Sequence, residues 1–424
     1  MHVIRAAKGV RMTWKTHLAA RIATAKQLEK TILLTDAERA GIEASADGFA
    51  MAIPEYYAQL MDRTNADCPI RRQAIPDVRE KVHHAGELAD PLGEEADSPL
   101  KCITHRYPDR ALFLITNSCF MYCRHCNRRR KVGDAAQRIT DRDITEGLAF
   151  LRSTPQIEDV LISGGDPLFC TDDKLEWILS ELRAIPHVRT IRIGTRAPVV
   201  MPSRITDDLV KVLKKAHPLW LNTHFNHPVE LTLESTTALA RLADAGIPLG
   251  NQTVLLKGVN DCPHIIRELC LKLVENRVRP YYLFQCDLAQ GTGHFRTRVS
   301  TGIEIMESLI GHVRGYAIPT YAIDPPGGAG KIPILPNYVL SQSNTAVVVR
   351  NYEGMIARYD EASSCDTHCP ANCARCETGD IGKTPRGPAH GVAALVSGST
   401  ANALVPKETL REQRRRTTGC SDSD

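Results

Sequence analysis

The sequence predicts an α/β fold: a partial (β/α) TIM-type barrel with a helical N-terminal layer and a C-terminal metal-binding extension. From Ala111 onward, β-favouring runs alternate with amphipathic helical patterns, the signature of parallel strands carrying their helices outside. Seven such runs are present, short of a full eight, which favours an open or partial barrel over a closed one. The residues best suited to chemistry follow these runs, at the carboxyl ends where barrels of this kind gather their sites.

Residues 1–100 read as a helical region. Thr35-Asp-Ala-Glu38 fits a capping box, and Leu28, Ile32 and Ile42 mark an apolar face, so this is a layer and not a chemical centre. Pro91, Gly93 and Pro99 punctuate an acidic linker from Asp90 to Asp97. The barrel is expected over 101–340. Its strand candidates are Ala111 to Thr116, Asp159 to Ser163, Thr190 to Thr195, Leu219 to Phe225, Leu249 to Leu256, Tyr281 to Gln285 and Tyr316 to Ile323. Between them lie helical patterns such as Leu175, Ile178, Leu179 and Leu182, with capping boxes at Thr140 to Asp143 and Thr301 to Glu304. A cysteine-rich extension is expected over 341–410, with Ala346 to Arg350 as one more strand. The charged, small-residue-rich stretch 411–424 is expected to be disordered.

The 424 residues, 43% of them hydrophobic, suffice for a barrel-sized core with appendages. A formal charge of +4 over such a length argues neither for nucleic acid nor for a membrane surface, and neither is expected as a partner. No apolar run approaches the ~20 residues of a membrane span. Residues Met1 to Thr16 carry Arg5, Lys8, Arg11 and Lys15 with no uninterrupted apolar core, so no secretory signal is expected. Fourteen cysteines without a signal peptide point to a reducing, cytoplasmic setting, where grouped thiols hold metal more readily than they form disulfides.

The organising stretch is Cys119-Phe-Met-Tyr-Cys123-Arg-His-Cys126-Asn-Arg-Arg-Arg130, on the loop leaving the first strand candidate. Three thiolates are ligands for an iron–sulfur cluster, and three instead of four leave one iron open for something else to bind. This pattern resembles the radical S-adenosylmethionine (radical SAM) superfamily, in which the open iron chelates the amino and carboxyl groups of SAM. Tyr-Cys-Arg-His-Cys with the following Arg128, Arg129 and Arg130 resembles, more narrowly, the lysine 2,3-aminomutase family. The resemblance runs from about Asp90 to Cys376 and implies a barrel of the radical SAM type, a 4Fe-4S cluster at Cys119, Cys123 and Cys126, SAM, and pyridoxal phosphate (PLP).

Further residues fall into place beside it. Ser163-Gly164-Gly165-Asp166-Pro167 is by itself a plain turn or a place where backbone meets a ligand. The resemblance makes it the segment that holds the SAM amino group. His224 and Gln252, at or near later strand ends, would taken singly be structural hydrogen-bonders, and the family puts both near SAM. Asp324-Pro-Pro-Gly-Gly-Ala-Gly-Lys331 is not a nucleotide-phosphate loop, because Pro325 and Ile332 occupy positions that need Gly and Ser or Thr. In the family the lysine closing such a segment forms the Schiff base with PLP, and Lys331 matches it. Arg106 and Arg110 match the positions that meet the PLP phosphate. Asp287 and Asp324 follow the last two strand candidates and match paired aspartates that grip the far ammonium of lysine. Arg128 matches the residue holding the substrate carboxylate.

Cys369, Cys373 and Cys376 repeat the spacing of the first triad, but with Cys365 they follow no apolar strand and precede no barrel. They read as structural metal, most simply zinc, with an auxiliary iron–sulfur cluster as the other reading. Family members bind zinc there with a cysteine from a neighbouring subunit, which Cys262 matches. The wider spacing and fourth thiol here also permit a self-contained site. The resemblance therefore implies a 2,3-aminomutase turning a cationic amino acid, lysine, into its β-isomer. Its partners would be an electron donor such as flavodoxin or ferredoxin and further copies of the chain in a homo-oligomer. Arginine by the same mechanism is the near alternative. A PLP-free radical SAM enzyme modifying a peptide or RNA, with an auxiliary cluster, is the alternative of another class, and a non-enzymatic metal-binding scaffold the remote third.

Overall fold

The computed structural model describes residues 13–46, 48–328, 330–343 and 345–361, and the chain divides into two units after Ile334. In the first, five short helices, α1 (Trp14–Ala19), α2 (Ala25–Leu28), α3 (Asp36–Ala44), α4 (Glu55–Ala58) and α5 (Pro69–Ala74), make the N-terminal layer. The Thr35 hydroxyl accepts from the Glu38 N–H at 3.2 Å while the Glu38 carboxylate accepts from the Thr35 N–H at 2.8 Å, the reciprocal cap that starts α3. That same carboxylate pairs with Arg71 of α5 at 2.6 Å, so the cap also ties two helices together. Leu28 and Ile32 are both fully buried, but α2 ends at Leu28, so they belong to a helix and the turn after it.

The sheet follows in strict chain order: β1 (Ile103–Tyr107), β2 (Arg110–Thr116), β3 (Asp159–Gly164), β4 (Thr190–Gly194), β5 (Leu219–Thr223), β6 (Leu249–Leu255), β7 (Val278–Gln285), β8 (Thr320–Ile323) and β9 (Ile332–Pro333). Strands β2 to β8 are parallel, and the antiparallel β1 and β9 close the two edges. The strand order is linear, so among the described residues the barrel stays open, as the seven runs predict. Both edge strands escaped sequence reading because Ile-Thr-His-Arg-Tyr is too polar, and Ile-Pro too short, to read as barrel strands.

Helices cover the outside: α6 (Asp141–Ser153), α7 (Asp172–Arg183), α8 (Ala197–Val200), α9 (Asp207–Lys215), α10 (Leu233–Asp244), α11 (Pro263–Glu275) and α12 (Val299–Leu309). On α7 the buried residues are Leu175, Ile178, Leu179 and Leu182, spaced three and four apart on the face toward the sheet. Each such side chain taken from water stabilises the fold by roughly 1.5–3 kcal/mol. The Thr140–Asp143 capping box starts α6, but that at Thr301–Glu304 does not exist. Helix α12 starts at Val299, behind an Arg298 that makes no side-chain cap. Thr301 is already inside that helix and so cannot cap it, and the next residue, Gly302, lies so close to the Tyr321 ring that a Cβ would approach it to 2.2 Å. Tyr316, expected in a strand, sits in a 3₁₀ turn, and β8 starts at Thr320.

In the second unit, β10 (Val339–Gln342), β11 (Ala346–Arg350) and β12 (Ile356–Asp360) form an antiparallel sheet with the expected strand in the middle. Cys365, Cys369, Cys373, Cys376 and the stretch 411–424 lie outside the described residues. No described helix is long and apolar enough to cross a membrane.

Candidate active site

The loop after β2 carries Cys119, Cys123 and Cys126, and the N-terminal layer grips its backbone. Arg21 donates to the Cys119 carbonyl at 2.8 Å, the Tyr122 N–H to the Ala52 carbonyl at 3.0 Å, and the Arg124 N–H to the Gln73 carbonyl at 2.9 Å. The fully buried Arg124 side chain reaches back to Glu80 at 2.8 Å and to the Phe49 and Ala50 carbonyls. The layer thus shapes the thiol loop, a role its sequence did not announce.

Burial, with the neighbouring thiols, pushes the Cys119 thiol well above its ordinary range and the Cys126 thiol up to about 11. Such thiols ionise when a cationic centre binds them. Among the described residues no three His, Cys, Asp or Glu side chains converge as one metal ion requires. A cluster takes one thiolate on each of several irons, and the half-buried Cys119, Cys123 and Cys126, near enough to perturb one another's ionisation, suit it.

Gly164 and Gly165 end β3, and what they approach is the chain itself. A Cβ on Gly164, at φ +133, would meet the Thr116 carbonyl oxygen at 2.0 Å, and one on Gly165 the Ser118 oxygen at 2.2 Å. Their lack of side chains is required by the start of the thiol loop. The buried Asp166 carboxylate accepts from the Thr195 hydroxyl at 2.7 Å and from the Arg196 and Leu168 N–H groups at 2.8 and 3.0 Å. It is spent on the turn after β4. His224, after β5, bonds Asn226 at 3.0 Å and lies 5.3 Å, ring to ring, from His125. Burial, helped by the nearby Arg196 charge, pulls its pKa down to about 3, so its imidazole is neutral. Gln252 lies within β6, half-buried.

The opposite side of the rim is charged. Arg128 gives Nε and Nη2 to Glu94, at 2.9 and 2.6 Å, and keeps Nη1 toward Ser163 at 3.4 Å. Asp287, after β7, accepts from Asn127 at 2.7 Å, and Asp324, after β8, meets the Lys331 amine at 3.2 Å. Burial chiefly, with repulsion from Asp324, raises the Asp287 carboxyl to about 6, while Asn127, Lys331 and Arg128 oppose the shift. Arg128 in turn feels Cys126 and Asp287. The thiols, Arg128, the two aspartates and Lys331 therefore occupy one rim. The other Asp324 oxygen, Oδ1, is buried with no hydrogen-bond partner among the described residues, which leaves an acceptor for a ligand.

Lys331 lies 5.1 Å over the Phe284 ring, and its N–H donates to the Tyr107 hydroxyl at 3.1 Å, joining the β9 end of the sheet to β1. Gly330, at φ +83, leaves room for that tyrosine, whose hydroxyl a Cβ would approach to 2.8 Å. An exposed amine among rings and carboxylates fits a cofactor aldehyde. Arg106 lies on β1, bound to Asp97 at 2.9 Å, and Arg110 starts β2, bound to Asp109 at 2.8 Å. Cys262 precedes α11, half-buried. Sequence reading missed Glu94, Asn127, Arg196 and Glu230. Only Arg196 left a signal, as a charged residue after the one interior strand, β4, to which no role had been given.

A family model described as Lysine-2,3-aminomutase matches residues 306–424, and one described as the Radical SAM superfamily matches residues 113–269. The chain is 51% identical to the L-lysine 2,3-aminomutase of Acetoanaerobium sticklandii, over 95% of either chain. It is 50% identical to that of Clostridium subterminale, over 95% of this chain and 94% of that one. The glutamate 2,3-aminomutase of Clostridioides difficile is 45% identical over 83% of each. None of these names supports the arginine, peptide or RNA alternatives.

Proposed function

The chain belongs to the lysine 2,3-aminomutase family of the radical SAM superfamily, and from that premise we propose that it moves the α-amino group of L-lysine to the β-carbon. The observation that carries the lysine reading is the convergence of Asp287 and Asp324 beside Lys331. Two carboxylates, one with a buried unpaired oxygen, attract a distal ammonium and repel the side-chain carboxylate of glutamate.

When bound, the cluster with SAM supplies hydrogen-atom abstraction, and PLP supplies a conjugated π system across which an amino group can move. Cys119, Cys123 and Cys126 would hold the cluster, and Gly164, Gly165, His224 and Gln252 would line the SAM side, with Asp166 fixing the turn after β4 beside them. Lys331 presents its amine to the PLP aldehyde while Arg106 and Arg110 neutralise the phosphate. Arg128, held from behind by Glu94, turns its remaining nitrogen to the substrate carboxylate. With one anchor at each end, the substrate is fixed in position as well as bound. Cys365, Cys369, Cys373 and Cys376 would hold zinc, either as a self-contained four-thiol site or together with Cys262 from a neighbouring copy of the chain. A low-potential donor protein of flavodoxin or ferredoxin type would reduce the cluster, and the homo-oligomer remains part of the proposal.

The test is mass spectrometry of products formed anaerobically from lysine, arginine and glutamate by the reconstituted enzyme with SAM, PLP and a reductant. β-Lysine as the dominant product supports the proposal; turnover of glutamate or arginine in its place refutes it.

A further inference from the structure

The end of β4 holds a charged group to which nothing above gives a chemical task. Arg196 is 8% exposed, and its guanidinium donates to the Cys123 sulfur through Nη1 at 2.9 Å. Nη2 donates to Gln73 at 2.7 Å and to Glu230 at 2.8 Å, and Nε to the His224 carbonyl at 3.1 Å. Its backbone N–H is tied to Asp166. A buried cation fixed from so many sides has no freedom to leave the sulfur. Glu230, fully buried, is fixed as firmly: it accepts from the Tyr57 hydroxyl at 2.7 Å and from the Asn226 and His227 N–H groups at 2.6 and 3.0 Å.

We propose that Arg196 and Glu230 set the reduction potential of the cluster held at Cys119, Cys123 and Cys126, the arginine raising it through its hydrogen bond to the Cys123 sulfur and the glutamate partly offsetting that charge. The inference rests on the cluster reading above. One electron from a low-potential donor protein makes the cluster more negative and changes no bond of the chain. A cation on a ligating sulfur stabilises the reduced state more than the oxidised one. The carboxylate lies beyond the guanidinium, so its opposing field at the sulfur is the weaker. Arg196 is thus a positioning and tuning residue acting through Cys123.

The experiment is a redox titration of the full-length, iron-reconstituted chain without SAM, followed by the electron paramagnetic resonance of the reduced cluster, with iron counted in each sample. Arg196→Gln is expected to lower the one-electron reduction constant about tenfold, which is about 59 mV, and Glu230→Gln to raise the potential. If Arg196→Gln takes up no iron, Glu230→Gln decides alone, a rise supporting the proposal and no change or a fall overturning it. An unchanged potential in Arg196→Gln, or shifts of the same sign in both variants, overturns it, because a purely structural pair has no reason to move the potential in opposite directions. A parent chain without a cluster signal would overturn the cluster reading itself.

Discussion

Replacing Asp287 with asparagine should make the protein without substrate more stable and the substrate site worse. The wild-type carboxyl is raised from its ordinary 3.8 to about 6, chiefly by burial. A shift of about two units, at about 1.4 kcal/mol each, is a penalty of up to about 3 kcal/mol for keeping the group ionised in the fold. Between 3.8 and about 6 the folded chain holds a proton that the unfolded chain has lost, so stability falls as the pH rises through that window and is flat above it. The amide of Asp287→Asn keeps an acceptor for Asn127 and carries no charge, so it removes the penalty. Its stability advantage is expected in full above about pH 6, shrinking below that and gone near the ordinary aspartate value. Binding moves the other way, since losing one partner of a desolvated ion pair costs about 2–5 kcal/mol, so KM for lysine should rise at least about thirtyfold. Thermal unfolding without substrate at about pH 8 and about pH 5, with KM for lysine and for uncharged amino acids, tests both halves. A variant no more stable at about pH 8 would refute the burial argument. An equal loss for every amino acid would refute the side-chain pocket.

Three further outcomes are expected. Lys331→Ala should purify without the visible absorbance of bound PLP, and an unchanged spectrum would reassign the lysine. Cys123→Ala should lose the iron of the catalytic cluster while Cys373→Ala keeps it; the reverse pattern in iron counts would mean the other cysteines hold it. Gly164→Ala, whose Cβ would sit 2.0 Å from the Thr116 oxygen, should lower stability by about 3 kcal/mol or more and cost cluster occupancy, seen as a lower melting temperature and less iron per chain.

What the sequence by itself determined was everything written in local spacing: the thiol triad on a strand-exit loop, the alternation that gives an open parallel sheet, the carboxylates after β7 and β8, and the lysine closing its glycine-rich turn. Those features are properties of a few consecutive residues, and a parallel sheet brings strand ends to one rim whatever lies between them. The tertiary structure alone decided who meets whom. Arg196 and Cys123 are 73 residues apart, and Arg128 and Glu94 are 34 apart. No local pattern marks such a pair, because a charge carries no record of its partner until the fold removes both from water. The glycines show the same boundary: the residues alone left Gly164 and Gly165 as either a plain turn or a place where backbone meets a ligand, and only the packing of β3 against β2 established that what they approach is the chain's own backbone.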